Sequence, residues 1–208
     1  MMRNSTKFAL MILFVITALT LGAKRGYAAT LDLLGVGWDK SVITVLIKPA
    51  KGVTSQAVQD VEAAISDWVS ALQTVNGTPT LTLVHGVTSA DILIRMKLGG
   101  GAVLGHTFPR TQSPFSCALK SVSIQLSGKA FGQNFSDTGT ANVARHELGH
   151  ALGLGHSDDP NDLMYAAAES SEIFGSTEVS ISNCDKEGIA AIYPLPQFCD
   201  IPDSISCP

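Results

Sequence analysis

Between Ser41 and Lys129 the apolar residues fall into alternating or continuous short runs, broken once by a stripe of helical period. "SVITVLIKP" is β-branched and stopped by Pro49, as expected of a strand. Thr54 or Ser55 can then cap a helix whose apolar residues, Val58, Val61, Ile65, Trp68 and Leu72, recur at steps of three and four. "NG" at 76–77 closes that helix, and "TLTLVHG" and "ADILIRMKLG" read as two more strands. "GGGAVLGHTFP" and "KSVSIQLSGK" are a further pair, joined by the polar loop "RTQSPFS". Strand, helix, strand, strand places a helix over a mixed sheet. Beyond about residue 138 the β pattern fades. A helix capped by Thr140 is predicted through "ANVARHELGHALG" to Gly153, and a last one through "SNCDKEGIAAIYP", capped by Ser182 or Asn183 and stopped by Pro194. The expected fold class is α+β: an α/β-type N-terminal part with a twisted five-stranded sheet and backing helix, then an active-site helix and a small, mostly irregular C-terminal part.

The 208 residues are enough for one domain, and 45% of them are hydrophobic. A net charge of −4 offers no basic patch for nucleic acid or an anionic membrane. No internal repeat is visible. At the N-terminus, Arg3 and Lys7 precede the apolar run "FALMILFVITALTLG", and the small-residue exit "GYAA" follows. This is the pattern of a secretory signal peptide, residues 1–28, cut after Ala28. The run is short for a membrane span of about 20 apolar residues. An uncleaved cell-surface anchor, with Lys24 and Arg25 beyond the run, is the alternative. Export leads to an extracellular protein, residues 29–208, with no stable membrane association after cleavage and a monomeric state. It also makes disulfides the natural reading of Cys117, Cys184, Cys199 and Cys207. Of the three possible pairings, Cys199–Cys207 is favoured because it would tie off the tail 195–208, leaving Cys117–Cys184 as the long-range link. None of the four sits in a CxxC, which argues against a thiolate zinc site or a redox motif.

Candidate chemistry concentrates in "HELGHALGLGH", residues 146–156. Helical residues four apart share a face, so His146 and His150 can meet one metal ion. Glu147 lies beside that ion without pointing straight at it. Ala144, Leu148, Ala151 and Leu152 fall on the opposite face, available to the core. Gly153 can turn the chain back after the helix, bringing His156 in as a third ligand. Three imidazoles leave a tetrahedral zinc one open position, the catalytic rather than the structural kind of site. The ion would lower the pKa of a water there, and Glu147 is placed to take its proton. An ordinary helix with incidental histidines is the competing reading, and it must explain all five matched positions by chance.

The pattern HExxHxxGxxH resembles the signature of the metzincin metallopeptidases. "HSDDPNDLMYA" follows it, and "DLMY" is similar to their Met-turn, with Met164 beneath the zinc. Within that clan "VARHELGHALGLGHS" and "DPNDLMY" most resemble the matrixins, the catalytic domains of matrix metalloproteinases. Tyr165 directly follows the methionine and Ala166 stands one place further on, so no tyrosine ligand is expected. Softer likeness extends over residues 38–194, through "ADILIRM", "LGHTFP" and "EGIAAIYP". The resemblance implies a zincin fold and a zinc endopeptidase acting on a peptide or protein. A zinc-activated water would attack the peptide bond with Glu147 as general base, and the substrate would lie along an exposed edge strand, "AVLGHTF". Residues around 165–180 would wall the pocket beside the metal.

Three departures from the matrixin pattern stand out. His106 matches one ligand of the family's second, structural zinc, but "RMKLGGG" and "SVSIQLSGK" supply no further histidine, so a single zinc is expected and His106 is a plain strand residue. No cysteine-switch segment fits between Ala28 and Trp38, so latency would rest on an inhibitor protein or on delayed disulfide formation. Calcium is not supported: "SDDPND" lacks the regular carboxylate spacing of a calcium loop and reads as a solvated turn. Asp158, the nearest in sequence, or Asp159 or Asp162 could bond a ligating imidazole from outside. His85 reads as an edge residue, glycines 99–101 as flexibility beside a strand, and Asn142 and Val143 carry no signal. Two other functions stay open: a secreted zinc-containing binding module without catalysis, disfavoured by the intact Glu147, and a metzincin-fold amidase acting on a non-protein substrate such as a cell-wall crosslink.

Overall fold

A computed structural model describes residues 29–207. The segment assigned to a signal peptide, 1–28, lies outside the described residues. The chain forms β1 (Ala29–Leu33), β2 (Val42–Pro49), α1 (Ser55–Leu72), β3 (Thr80–Leu83), β4 (Ile92–Met96), β5 (Gly105–Thr111) and β6 (Leu119–Leu126). Then come β7 (Lys129–Ala130), β8 (Gln133–Asn134), α2 (Asp137–Ala151), β9 (Leu154–Ser157), α3 (Ser170–Ile173), α4 (Asn183–Ile192) and β10 (Ser204–Cys207).

The main sheet has the order β3-β2-β4-β6-β5. Four strands run parallel, and β5 returns antiparallel to β6 as an outer edge. Pro109 sits within β5, a position that an edge strand tolerates because its missing N–H leaves no inner ladder broken. Alternation directs Ile92, Ile94 and Met96 of β4 and Val122, Ile124 and Leu126 of β6 into one buried layer. Against that layer lies the predicted stripe of α1, with Val61, Ile65, Trp68 and Leu72 all buried. Removing each such side chain from water contributes about 1.5–3 kcal/mol. Thr54 caps α1 by accepting from the Ala57 N–H at 3.1 Å.

Helix α2 crosses α1, and the Trp68 indole N–H donates to the Arg145 carbonyl at 2.8 Å. Its start differs from the expected Thr140. Ser136 is the N-cap, accepting from Gly139 N at 2.9 Å, while Thr140 Oγ1 donates back to the Ser136 carbonyl. A weak helix former at 139 hides this extra turn from a propensity reading. It is kept because Gly139 packs against the Ile173 backbone, where a Cβ would collide.

The two ends of the described segment form strands that their sequence does not suggest. β1, β9 and β10 form a second sheet in the order β10-β1-β9, entirely antiparallel. Each strand has five residues or fewer, so only long-range pairing makes them strands. That sheet also corrects the favoured disulfide pairing. The bridges are Cys117–Cys199 and Cys184–Cys207, with Cα–Cα distances of 5.4 and 5.3 Å. Pairing with β1 carries Cys207 to α4, whereas Cys199 reaches the β5–β6 loop instead of its neighbour in the tail. Glycines 99–101 also serve as more than slack, because Gly100 lies against Ser127 and the Lys129 carbonyl where no side chain fits. His85 is exposed just beyond β3.

In the chain-entropy account, a link across 23 residues contributes about 3 kcal/mol. Denaturant unfolding of a Cys184→Ser/Cys207→Ser protein should therefore show a loss of about that size. An unchanged unfolding free energy would mean that strand pairing alone holds β10.

Candidate metal centre

Helix α2 presents its apolar residues to the core: Ala144, Leu148 and Ala151 are buried, as is Leu152 at the C-cap. His146 and His150 project from the other side, and Glu147 is 5% exposed between them and the sheet. After Leu152 the chain turns sharply at Gly153, whose φ of 106° is open to glycine and whose missing Cβ leaves room for the Val36 carbonyl. The turn feeds β9, which carries His156 back beside the helix. The predicted triad is thus brought together. Its ring centroids are 4.7, 5.6 and 4.8 Å apart, and one nitrogen from each ring lies within 4.8 Å of the others.

Backbone carbonyls set the orientation of two rings. Nδ1 of His146 donates to the Leu163 carbonyl at 2.7 Å, and Nδ1 of His150 to the Leu154 carbonyl at 2.8 Å. A carbonyl can only accept, so the proton is on Nδ1 and the Nε2 lone pair is left for a metal. Burial pushes the His150 imidazolium down to about 4 and His146 downward too, which keeps both rings neutral near pH 7. Three imidazoles whose nitrogens converge on one point fit a zinc ion. The aspartates expected behind the imidazoles do other work. Asp158 accepts from Thr30 N at 2.7 Å, Asp159 accepts from the backbone and side chain of Asn161, and Asp162 lies buried beside Asp185. The solvated turn read from "SDDPND" is in this sense partly structural.

Met164 is fully buried beneath α2, where its sulfur occupies the space that a side chain at Gly149 would need. The turn that holds it is closed by Tyr165 N donating to the Asp162 carbonyl at 3.1 Å and tied to β9 by Ser157 N donating to the Met164 carbonyl at 2.9 Å. His106 lies on β5 stacked on Phe108, with ring centroids 4.1 Å apart.

Four residues of this site were not found by sequence reasoning. Thr107 Oγ1 donates to Glu147 Oε2 at 2.6 Å, and Gly105, two places earlier on the same strand face, lies where any Cβ would strike that carboxylate. Burial pushes the Glu147 carboxyl up to about 7, and the Thr107 bond partly opposes this. Asn142 joins α2 to the chain after α3. Its Nδ2 donates to the carbonyls of Glu172 and Thr177, and its Oδ1 accepts from Val179 N. Arg145, also buried, adds ion pairs to Asp67 at 2.6 Å and Glu178 at 2.8 Å. The available signal was two polar side chains three apart on a helix otherwise buried. They hold the wall of a cavity of about 600 Å³ that is lined by the triad, Glu147, Thr107, Val143, Ala166–Ala168, Ile173, Phe174 and Val179.

The family model described as Matrixin, peptidase M10, matches residues 37–194. The chain therefore belongs to the matrixin family of metalloproteases. It is 30% identical to stromelysin-1 of Equus caballus over 171 residues, which is 76% of this chain and 33% of that protein. It is 33% identical to human matrilysin over 96 residues, 46% of this chain and 33% of that protein. To the interstitial collagenase of Bos taurus it is 48% identical over 60 residues, 29% of this chain and 12% of that protein. The chain thus spans a third or less of the length of these relatives. The two disulfides fit an extracellular protein, and no helix among the described residues is long and apolar enough to cross a membrane.

The carboxyl behind the methionine turn gives a test of the site's floor. Burial, then the neighbouring Asp162, pushes Asp185 up to about 7, and each of the two keeps one buried Oδ1 without a donor. The folded protein therefore retains a proton that the unfolded chain releases near 3.8. The stabilisation is present at low pH and lost as pH rises through about 7. Asp185→Asn can still accept from Ser182 N, which bonds Asp185 Oδ2 at 2.7 Å, and its amide can donate to Asp162. Between pH 5 and 7 the parent's unfolding free energy should fall relative to the variant's, the other titrating groups being common to both; parallel curves would show that the pair shares no proton.

Proposed function

We propose that the chain is a secreted zinc-dependent endopeptidase, its signal 1–28 removed and residues 29–208 forming one catalytic domain. The observation that carries this reading is the convergence of His146, His150 and His156 beside the buried carboxyl of Glu147. In this reading the three imidazoles hold the ion through Nε2. When bound, zinc supplies a Lewis acid that acidifies water and polarises the scissile carbonyl. Glu147 takes the proton of the attacking water and later delivers it to the leaving amine. A carboxylate accepts and returns a proton without leaving its place, so one group can serve both transfers. Thr107 holds one oxygen of that carboxyl, so the group enters the reaction already oriented.

The outer edge of β5 has its ladder groups open, and an extended peptide can add there by backbone hydrogen bonds. Gly105 and Thr107 on that strand pack against Glu147, so a peptide on β5 comes to rest beside the base. The side chain next to the scissile bond meets Val143, Ile173, Phe174 and the alanines at 166–168, an apolar wall that favours an apolar residue.

The mature protein, with disulfides intact, should cleave a quenched unstructured protein, and a zinc chelator should stop it. Glu147→Ala should keep one zinc per chain while turnover falls by about 10²–10⁴-fold. Zinc binding without any cleavage by the parent protein would move the assignment to a binding module or to a non-protein amide. Thr107→Val should lower kcat about tenfold with KM and zinc content unchanged, and Thr107→Ser should restore it. A shift confined to KM would show that the hydroxyl serves substrate binding instead.

A further inference from the structure

The hairpin β7–β8 pairs Lys129 with Asn134 and Ala130 with Gln133, leaving Phe131 and Gly132 as a two-residue turn. Their φ values are 50° and 83°. Two positive φ values in such a loop match the type I′ geometry, which suits the strand twist and favours Asn-Gly. Phenylalanine is a poor choice there. Its Cβ crowds the following carbonyl in the left-handed region, and it lacks the short polar side chain with which asparagine offsets that strain. Burial of the ring could compensate, yet Phe131 is 81% exposed. Neither the turn nor the core accounts for this residue.

The cavity beside it does. Phe131 and Ala130 belong to the lining of the same cavity that contains the histidine triad and Glu147. Val103, 61% exposed, adds a second apolar side chain to that lining. The base of the hairpin is fixed. Ala130 is fully buried, Phe135 N donates to the Gly128 carbonyl at 3.1 Å, and Gly100 packs directly on the Lys129 backbone. Phe135 in turn meets Phe174 of the cavity wall, with ring centroids 6.3 Å apart. A ring held exposed at the cost of backbone strain, on a braced hairpin beside a candidate active site, is suited to contact what enters.

We propose that Phe131 is a specificity-determining residue, an aromatic platform at the cavity rim that packs on an apolar or aromatic side chain of the bound peptide. This inference rests on the peptidase reading, and it adds a contact outside the apolar pocket near Ile173. Strain and recognition oppose one another here, so the two readouts of a substitution should separate. Phe131→Asn installs the favoured turn pair, and the melting temperature should hold or rise by roughly 2–4 °C. A purely structural residue would do the reverse.

The test uses the zinc-loaded protein and peptides that share one cleavage sequence. One set is kept short, and the others are lengthened by apolar residues on one side or the other. With Phe131→Asn, the short peptides should be cleaved as by the parent protein. Peptides lengthened on one side should lose about tenfold in kcat/KM, through KM, and Phe131→Tyr should restore them. An equal loss for every peptide, or no loss for any, would overturn the inference while leaving the peptidase reading intact. Failure of the parent protein to cleave any peptide would overturn both.

Discussion

Three imidazoles converge beside one buried carboxyl, and most of the surrounding structure serves that convergence. Two come from consecutive turns of α2, so their spacing follows from helix geometry. The third has to return from beyond the helix, and the return depends on Gly153 with its positive φ and the Val36 carbonyl in the space of its missing Cβ. Carbonyls of Leu154 and Leu163 then hold the ring protons of His150 and His146. Both carbonyls belong to segments after α2, so the helix, the strand of His156 and the methionine turn orient one another.

That dependence explains why the small second sheet matters. His156 is on β9, an outer strand of a sheet whose centre is the first described segment, β1, and whose far strand, β10, is fixed to α4 by Cys184–Cys207. Segments from both ends of the described chain thus brace the third imidazole. On the other flank, Asn142 and Arg145 bind the chain after α3 to the same helix that carries His146. The Asn142 amide and the Arg145 guanidinium are themselves buried, so these hydrogen bonds are worth more here than on a surface, where water would replace them. Helix α2 is therefore at once carrier of two of the three imidazoles, core element and anchor for the cavity wall.

Glu147 illustrates how a single environment shapes chemistry. Burial between the helix and β5 raises its carboxyl, and Thr107 from that strand supplies the one hydrogen bond that moderates the shift. Gly105 leaves the space in which the carboxylate rests. The outer edge strand of the main sheet is thus also the strand that positions this carboxyl.

The local patterns were legible from the chain alone. The stripe of α1, the strands around Ile43, Ile92 and Val122 and the triad in "HELGHALGLGH" depend on neighbours within a few turns, so periodicity and spacing carry them, whereas the buried Met164 was legible only through the family resemblance. What required the tertiary structure were relations between distant residues. Thr107 and Glu147 are 40 positions apart, Asn142 finds its partners near 172–179, and Cys117 pairs with Cys199 across 82 residues. The extra first turn of α2 survives on packing against Ile173, and the strands at the two ends of the described residues exist only because they pair with each other. A sequence specifies which side chains share a helix face or a strand face. Which distant backbone a polar side chain satisfies is decided only when the whole core closes, since the loss of water on burial is what makes that hydrogen bond necessary.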